Sequence, residues 1–348
     1  MRLGLLATVD RTIDAFFLRM IEQWTSQGVD VSIATGDAAP ESGRLHVPHL
    51  NRRPGIESFG ALRELRRWRS EHDVVLTNTA VASALVRMTR SDTPVVYFAH
   101  GLHWNRPTGL RTMPWRVIEA QLLKRTAGMI VLNDEDERWV RHRYRGPVKR
   151  LAFGVGLDVS QFSRRAPIDD PVLRLAWMGE FSTRKRPHHA VLLASRLKDA
   201  GVPFHLDMWG LGALHSEVAT SIREAKLDSQ VTLAGFGNSR DAIGNAHALV
   251  HTATWEGLPR TIVEASALGR PTFGYAVKGV RDGPATITVP DGDDSAMAQE
   301  ILSHWSAGAL HRPIEPLPSP SDLDDRRAAD HILEFVNEVA MSGAPRHG

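Results

Sequence analysis

Short apolar runs alternate with stretches of helical period along this chain. Residues 2–9 and 29–34 are near-continuous apolar runs, and residues 12–27 between them place apolar side chains on one helical face. This order is typical of a β-α-β unit, which requires a parallel sheet with right-handed crossovers. The same alternation predicts further strands up to about residue 150, at 74–77, 94–99, 129–133 and 148–152.

The alternation starts again after residue 166, with predicted strands at 173–178, 205–209, 231–234, 248–252 and 272–275. We therefore predict two doubly wound, Rossmann-like α/β domains, an N-terminal one at 1–165 and a C-terminal one at 166–322. Residues 323–348 are expected to form a terminal helix that packs on the N-terminal domain. Ligands bind at the carboxyl ends of such sheets, so two domains facing each other would share an interdomain cleft.

The amino-acid composition excludes several kinds of functional site. The 348 residues are 42% hydrophobic and 24% charged and include no cysteine, which excludes disulfides, cysteine-based metal sites and thiol catalysis. The apolar run at the N-terminus is too short for a signal peptide, and no run of 18 apolar residues is long enough to span a membrane. We expect a cytoplasmic protein.

Charge is distributed unevenly. Residues 1–150 contain 23 lysines and arginines against 16 acidic residues, whereas the remainder contains 19 against 24. A basic first half favours an acidic partner or an anionic membrane surface, such as the inner face of a membrane, although arginine-rich helices can also simply be solvated. No nucleic-acid partner is expected. The basic and aromatic candidates for this surface are Trp104, Arg106, Arg111, Trp115, Arg116, Lys124 and Arg125.

Residues 255–271 contain two glutamates eight positions apart, Glu256 and Glu264. Gly257 and Pro259 lie where a loop turns into a predicted helix at 261–268, because proline is tolerated only in the first helical turn. The helix N-terminus offers free amides and a positive dipole to a phosphate, and carboxylates accept hydroxyl hydrogen bonds. This arrangement suggests a nucleotide-sugar site. The alternative is an ordinary capped helix with two solvated glutamates.

A glycine and a basic cluster follow the first predicted strand of the second domain. Gly179 permits close backbone approach, and Arg184, Lys185 and Arg186 supply cations before a helix begins. This order suits a diphosphate, although basic surface loops are common. Gly235 follows the strand at 231–234 and is a candidate for holding a nucleobase, but a plain turn explains it equally well.

These motifs together resemble one family. Gly179-Glu180-Phe181 with Lys185, Gly210-Leu211-Gly212, Glu256-Gly257-Leu258-Pro259 through Glu264-Ala265, and Gly269-Arg270-Pro271 are similar to the C-terminal half of the retaining glycosyltransferases of family 4, which have the GT-B fold. The first half, with residues 97–104 and 154–158, resembles members that build bacterial surface polysaccharides and lipid-linked oligosaccharides.

The resemblance implies a role for each site residue. Glu264 would accept from the nucleotide ribose, Glu256 would contact the donor sugar with the amides near Gly257 and Leu258, and Lys185 would neutralise the diphosphate. His100 would reach the donor sugar across the cleft, and His103 is a candidate on the acceptor side. The resemblance makes 1–165 the acceptor-side domain and 166–322 the nucleotide-sugar domain. The implied reaction retains the anomeric configuration, favours a UDP-sugar donor over other nucleotide sugars, needs no metal or cofactor, and uses a glycan, lipid-linked or small-molecule acceptor.

Two departures from the family pattern bear on these roles. Glu180 stands where the family usually has arginine, and residues 8–12 lack the usual glycine pair, which leaves Asp10 and Asp14 as acceptor-side candidates. Asp134-Glu135-Asp136 resembles a metal-binding D-x-D motif, but we favour a helix cap there. Two other functions stay open: a nucleotide-sugar 2-epimerase of the same fold, and a family member that binds a nucleotide or partner without turnover.

Overall fold

A computed structural model describes residues 1–52, 55–105 and 112–342 of the chain. The chain forms two compact units. Unit 1 contains residues 1–155 together with the segment from Asp325 onward, and unit 2 contains Gly156–Asp324.

Unit 1 is built on a parallel sheet. Within its described residues the strands lie in the order β3-β2-β1-β4-β5-β6-β7. The strands are β1 (Arg2–Leu6), β2 (Asp30–Thr35), β3 (Leu45–His46), β4 (Val74–Thr77), β5 (Val95–Phe98), β6 (Gly128–Val131) and β7 (Val148–Arg150). The helices are α1 (Asp10–Phe16), α2 (Leu18–Ser26), α3 (Leu62–Ser70), α4 (Ala80–Met88), α5 (Met113–Leu122) and α6 (Asp134–Arg143), with a 3-10 helix at Ile56–Ala61.

Unit 2 repeats this plan. Its parallel sheet has the order β10-β9-β8-β11-β12-β13 over the described residues. The strands are β8 (Leu173–Met178), β9 (Phe204–Trp209), β10 (Val231–Gly235), β11 (Ala248–His251), β12 (Thr272–Tyr275) and β13 (Thr286–Val289). The helices are α7 (Pro187–Asp199), α8 (His215–Glu224), α9 (Ser239–Gly244), α10 (Arg260–Ala267), α11 (Asp294–Ser306) and α12 (Pro320–Leu323). The prediction of two doubly wound parallel sheets is confirmed.

The single helix predicted at 12–27 is wrong, because the structure divides it at Phe17 into α1 and α2. Phe17 has φ −124° and ψ −12°, outside the helical region. Its ring is fully buried and lies edge-on to Phe98 of β5 at 6.0 Å. A contact with a residue distant in sequence therefore sets the break, and no glycine or proline marks it.

The units divide at Gly156, whereas the sequence analysis placed the boundary after residue 165. Leu157 donates its amide to Leu323 at 2.8 Å, and the amide of Arg165 donates to Leu268 at 3.1 Å. Phe162 packs against the core of unit 2. Residues 156–165 therefore run along unit 2, although no compositional change marks them in the sequence.

The terminal helix α13 (Asp325–Met341) belongs to unit 1 and packs on α2. Arg19 pairs with Asp325 at 2.6 Å, and the Trp24 indole N–H donates to the carbonyl of Ala329 at 2.9 Å. Ile332, Val336 and other apolar residues at helical spacing are buried. The chain thus returns to its first unit after completing the second.

Candidate functional site

The strand order of unit 2 creates a switch point between β8 and β11, which lie side by side although β9 and β10 come between them in the chain. From this pair the chain continues outward in opposite directions, through β9 and β10 on one side and β12 and β13 on the other. Loops at the carboxyl ends of such a pair diverge and leave a crevice in which ligands bind. The two loops here contain the predicted motifs at 179–186 and 252–259.

Thr252 ties the two loops together. Its hydroxyl donates to the carbonyl of Lys185 at 2.7 Å and lies 3.0 Å from that of Arg186, and it accepts from the Trp177 indole N–H at 2.8 Å. The amide of Thr254 donates to the carbonyl of Arg184 at 2.9 Å. The basic segment is therefore held by its backbone. Sequence reasoning missed Thr252, since a lone threonine at a strand end carries no distinctive signal.

Glu256 lies between two cations. Its Oε1 is 2.6 Å from the Lys185 Nζ and 2.7 Å from the Arg184 Nη1, and the glutamate is only 9% exposed. Burial raises the pKa of Glu256, but the charges of Lys185 and Arg184 outweigh that effect and the pKa lies below its usual value. Two cations on one carboxylate leave a net positive charge, which suits an anionic ligand.

Arg186 has a different environment from its two neighbours. It lies in the left-handed region with φ 50°, just before α7 begins. Its guanidinium donates to the carbonyls of Thr252 at 2.8 Å and Ala253 at 3.0 Å, pairs with Asp291, and lies over the Tyr275 ring. These contacts use the guanidinium to hold loops together. Its predicted contact with a donor stays a prediction.

Glu264 lies in α10, 6% exposed, with its Oε1 3.1 Å from the Nε of Arg260 one turn earlier. Burial raises the pKa of Glu264, while Arg260 and Ser239 act against that rise. Helix α10 starts after Pro259 without a capping side chain, and the buried hydroxyl of Thr261 has no hydrogen-bond partner within the described parts of the chain. The two predicted glutamates therefore have separate partners.

Gly179 and Gly210, which follow β8 and β9, and Gly235, which ends β10, lie against one another. The amide of Gly179 donates to Trp209 at 3.0 Å, and that of Gly210 donates to Gly235 at 2.7 Å. Gly210 has φ +136°, and a Cβ there would overlap the carbonyl oxygen of Gly179. Gly210 is thus required by the backbone. At Gly179 an added Cβ would only reach ordinary contact with the Lys185 side chain, at 3.4 Å.

His251 ends β11 directly beneath the charged cluster. It is 3% exposed, and neither ring nitrogen has a hydrogen-bond partner in the part of the chain that is described. Burial lowers the pKa of His251 to about 3, and the charge of Lys185 lowers it further. The ring is therefore neutral at physiological pH. No sequence signal marks this histidine, and its place near Lys185 and Glu256 was not predicted.

Gly257 and Leu258 follow Glu256 and lead into α10. Gly257 is buried, and its carbonyl lies close against Gly279, whose φ is +76°. Glu180 is exposed, and among the described residues it does not pair with Arg184 or Lys185. The carboxylate that departs from the family pattern is therefore solvated.

Unit 1 has its own switch point, between β1 and β4, and a cavity of about 810 Å³ opens there. His100 and His103 both line this cavity. The His100 ring stacks on Phe98 at 4.3 Å, and burial lowers the pKa of His100 to about 4. His103 lies edge-on to Trp104 at 4.6 Å.

Asp10 and Asp14 share one cation, Arg44. Its Nη1 is 3.3 Å from Asp10 and its Nη2 is 2.6 Å from Asp14, and the Thr35 hydroxyl also donates to Asp10 at 2.5 Å. Neither aspartate is among the described residues that line the cavity. Their predicted acceptor-side role stays a prediction, and the visible role of both is to fix Arg44.

The helix-cap interpretation of residues 133–136 is confirmed. Asn133 accepts from the amide of Asp136 at 2.8 Å at the start of α6. The buried Asp136 carboxylate accepts from the amide of Leu102 at 2.9 Å and from the Asn105 side chain at 2.8 Å. Asp136 thus anchors the loop that carries His100 and His103.

Of the predicted basic surface, Arg106 and Arg111 lie outside the described residues. Trp115 and Arg116 are exposed on α5, and Trp104 is buried. Among the described helices, none combines the length and apolarity needed to cross a membrane.

Family comparisons cover both units. The family described as Glycosyltransferase Family 4 matches residues 14–155, and Glycosyl transferases group 1 matches residues 159–303. A curated relative is the "Putative colanic acid biosynthesis glycosyltransferase WcaL" of Escherichia coli K12, 26% identical over 173 residues. That match covers 45% of this chain and 42% of WcaL, so the chain spans less than half of this relative's length.

Solved structures share the fold over almost the whole chain. Anabaena Alr3699/HepE in complex with UDP-glucose has a TM-score of 0.72 at 16% identity, covering 98% of this chain and 99% of that one. The lipopolysaccharide outer core galactosyltransferase WaaB has a TM-score of 0.73 at 15% identity, with coverage of 98% and 99%. The two family matches follow one another along the chain and agree with its two doubly wound sheets, so residues 14–155 are similar to a family 4 glycosyltransferase domain and residues 159–303 to a group 1 glycosyltransferase domain, on the GT-B fold.

Proposed function

We propose that this protein transfers a sugar from a UDP-sugar to a hydroxyl of a glycan or lipid-linked acceptor, with retention of the anomeric configuration. The observation that carries this proposal is the cluster of Arg184, Lys185 and Glu256 at the switch point of unit 2. It lies beside the start of α10, whose N-cap residue, Pro259, makes no side-chain capping hydrogen bond. The complex of Alr3699/HepE with UDP-glucose, a protein of the same fold, favours uridine as the base.

The charges suit a diphosphate leaving group. An arriving diphosphate can compete with Glu256 for Lys185 and Arg184, because phosphate oxygens accept the same charge-assisted hydrogen bonds. Glu256 would then be released to accept from donor-sugar hydroxyls, with the amides around Gly257 and Leu258 nearby. Lys185, Arg184 and the α10 N-terminus together stabilise the charge that develops on the diphosphate, without a metal or cofactor.

The proposed reaction exchanges two bonds at the anomeric carbon. The bond from that carbon to the diphosphate oxygen breaks, and a bond to the acceptor oxygen forms on the same face. The acceptor proton passes to the departing diphosphate, so no side chain is needed as a nucleophile. The protein contributes positioning and electrostatic stabilisation. A contact of His100 with the donor sugar stays part of the proposal.

Glu264 is assigned to the nucleotide ribose, because it is a buried carboxylate that only Arg260 and Ser239 partly offset. Replacing Glu264 by glutamine should weaken UDP binding by about 1–3 kcal/mol through lost charge-assisted hydrogen bonds. Isothermal titration with UDP measures the effect. Glu300→Gln on α11 is the matched control, and affinity equal to that of the wild type in Glu264→Gln would remove the ribose assignment.

Nucleotide sugars themselves test the proposed function. A bound donor should raise the melting temperature, because it stabilises only the native state. We expect UDP-sugars to protect more than GDP- or ADP-sugars. Product analysis with the protecting donor alone then separates the alternatives: an epimerised nucleotide sugar indicates an epimerase, and binding without product or UDP release indicates a non-catalytic protein.

We further propose that the protein works in the cytoplasm at the inner face of a membrane. Helix α5 exposes Trp115, Val117 and Ile118 together with Arg116, and Lys124 and Arg125 follow it. Apolar side chains with flanking cations are typical of surface-bound helices. The protein should sediment with phosphatidylglycerol vesicles at low salt and be released as salt rises. Equal sedimentation with neutral phosphatidylcholine vesicles would contradict an electrostatic contribution.

A further inference from the structure

We propose that the cavity of unit 1 binds the hydrocarbon chain of a lipid-linked acceptor, which enters beside α5. The identification of the ligand as an acceptor rests on the proposed function. The hydrocarbon-binding site itself is inferred from unit 1 alone. The cavity volume of about 810 Å³ lies in the range of pockets that enclose a drug-sized ligand. Its place at the carboxyl ends of β1, β4 and β5, around the switch point, is where ligands of doubly wound sheets bind.

The walls of the cavity are mostly apolar. They come from the 3-10 helix, from α4 and from α5, and include Phe59, Ala84, Leu85, Ile118 and Leu122. Hydrocarbon gains free energy in such surroundings in proportion to the apolar surface removed from water. This lining favours an apolar ligand over a polar one.

Few charges face the cavity. Arg52 and Glu119 are the charged residues among its described lining residues. Glu119 is already neutralised by Arg87, whose Nη1 and Nη2 donate to its two oxygens at 2.6 and 3.0 Å. His100 is neutral because burial holds its pKa near 4. A nucleotide diphosphate would find little to offset its charge here, whereas a neutral chain requires no such partner.

Three buried polar atoms of the lining lack hydrogen-bond partners among the described residues: the Oδ1 of Asn78, the Nε2 of His100 and the Nε1 of Trp104. Asn78 and Trp104 are each 2% exposed. Because these atoms are themselves closed off from solvent, a chain in the cavity does not pair with them, and the apolar walls alone define its ligand.

The cavity is continuous with an exposed apolar surface, which distinguishes a lipid from a water-soluble aromatic molecule. Phe59, Met88, Trp115 and Ile118 line the cavity and are also 38–53% exposed. Met113 and Val117 extend this surface along α5 at 57% and 54% exposure. Soluble monomers rarely leave such patches uncovered. A hydrocarbon chain can pass from a membrane along this surface into the cavity and stay in contact with apolar side chains.

The test measures binding of a hydrocarbon probe to the full-length protein. Fluorescent cis-parinaric acid, below its micelle concentration, should bind saturably with one probe per chain. Geranylgeranyl phosphate or dodecanoic acid should displace it, and inorganic phosphate should not. Stronger displacement by the isoprenoid assigns a prenyl-linked acceptor, and stronger displacement by the fatty acid assigns an acyl-linked one.

Variants separate the cavity from the surface. Ala84→Phe should weaken probe binding about tenfold, because its ring displaces about two methylene groups of the chain. Ile118→Ser should also weaken binding, whereas Leu18→Ser, exposed on α2 of the same unit and outside the described lining, should not. If Ala84→Phe does not fold, the Ile118 and Leu18 pair decides. Equal binding by that pair, or no saturable binding, overturns the inference.

Protection by UDP-sugar is measured on the same samples. It should be unchanged in these unit 1 variants, because they leave His100 in place and the other proposed donor residues lie in unit 2. UDP-sugar protection without probe binding overturns this inference alone. Probe binding without UDP-sugar protection contradicts the proposed function but still supports the hydrocarbon site.

Discussion

Replacement of Lys185 by methionine is expected to lower the turnover number for UDP release from the donor by about 10²- to 10³-fold. The Lys185 ammonium lies 2.6 Å from Glu256 and is fixed by the backbone bond from Thr252. A fixed cation at the leaving group stabilises the transition state more than the ground state, since charge on the diphosphate grows as the bond breaks. The KM for the donor should therefore change much less than the turnover number.

Two variants control this experiment. Lys185→Arg keeps the charge and should recover part of the lost turnover. Lys149→Met makes the same chemical change in β7 of unit 1 and should leave turnover intact. If Lys185→Met raised KM while turnover stayed at the wild-type value, Lys185 would be a ground-state contact and its leaving-group role would be wrong.

Replacement of Glu119 by leucine is expected to lower the free energy of unfolding by about 3–5 kcal/mol, because it leaves the buried guanidinium of Arg87 without a counter-charge. The side chains of Arg87 and Glu119 are 0% and 5% exposed, and Arg87 also donates to Thr126 at 3.1 Å and lies over the Tyr97 ring at 4.7 Å. Urea denaturation followed by fluorescence measures the change.

The double variant Arg87→Met/Glu119→Leu should be far more stable than Glu119→Leu, since replacing both partners leaves no unpaired charge. The exposed pair of Arg67 and Glu71, at 3.5 Å, supplies the comparison. Glu71→Ala should cost less than about 1 kcal/mol. A Glu119→Leu variant as stable as Glu71→Ala would show that Arg87 is satisfied without its partner.

Local sequence determined most of the fold because the patterns that define strands and helix ends extend over only a few residues. Apolar runs such as residues 74–77 and 248–251 are too short for typical helices and are typical of buried strands, and the helices between them favour parallel pairing. The α10 prediction also held to within one residue, since Pro259 and Gly269 mark the helix ends chemically. The segment from Glu256 to Glu264 was thus placed correctly at a strand end followed by a helix.

Tertiary structure decided what each of these side chains contacts. Glu256 lies against Lys185, 71 positions earlier in the chain, because β8 and β11 are neighbours at the switch point. Arg186 and Lys185 look alike in the sequence, yet a left-handed backbone turns Arg186 toward Asp291. Asp10 and Asp14 were candidates for an acceptor, and both bind Arg44. Contacts between residues this far apart in the chain leave no periodic pattern in the sequence.

The sequence by itself determined a two-domain parallel α/β protein with a basic loop and two glutamates at strand ends in its second half. Those features follow from side-chain period, helix termini and turn residues, which act over a few positions. Only the tertiary structure decided that Glu256 pairs with Lys185 and Arg184 and that unit 1 contains an apolar cavity. The physical reason is that burial and charge pairing depend on which strands become neighbours, and strand order joins residues far apart in the chain.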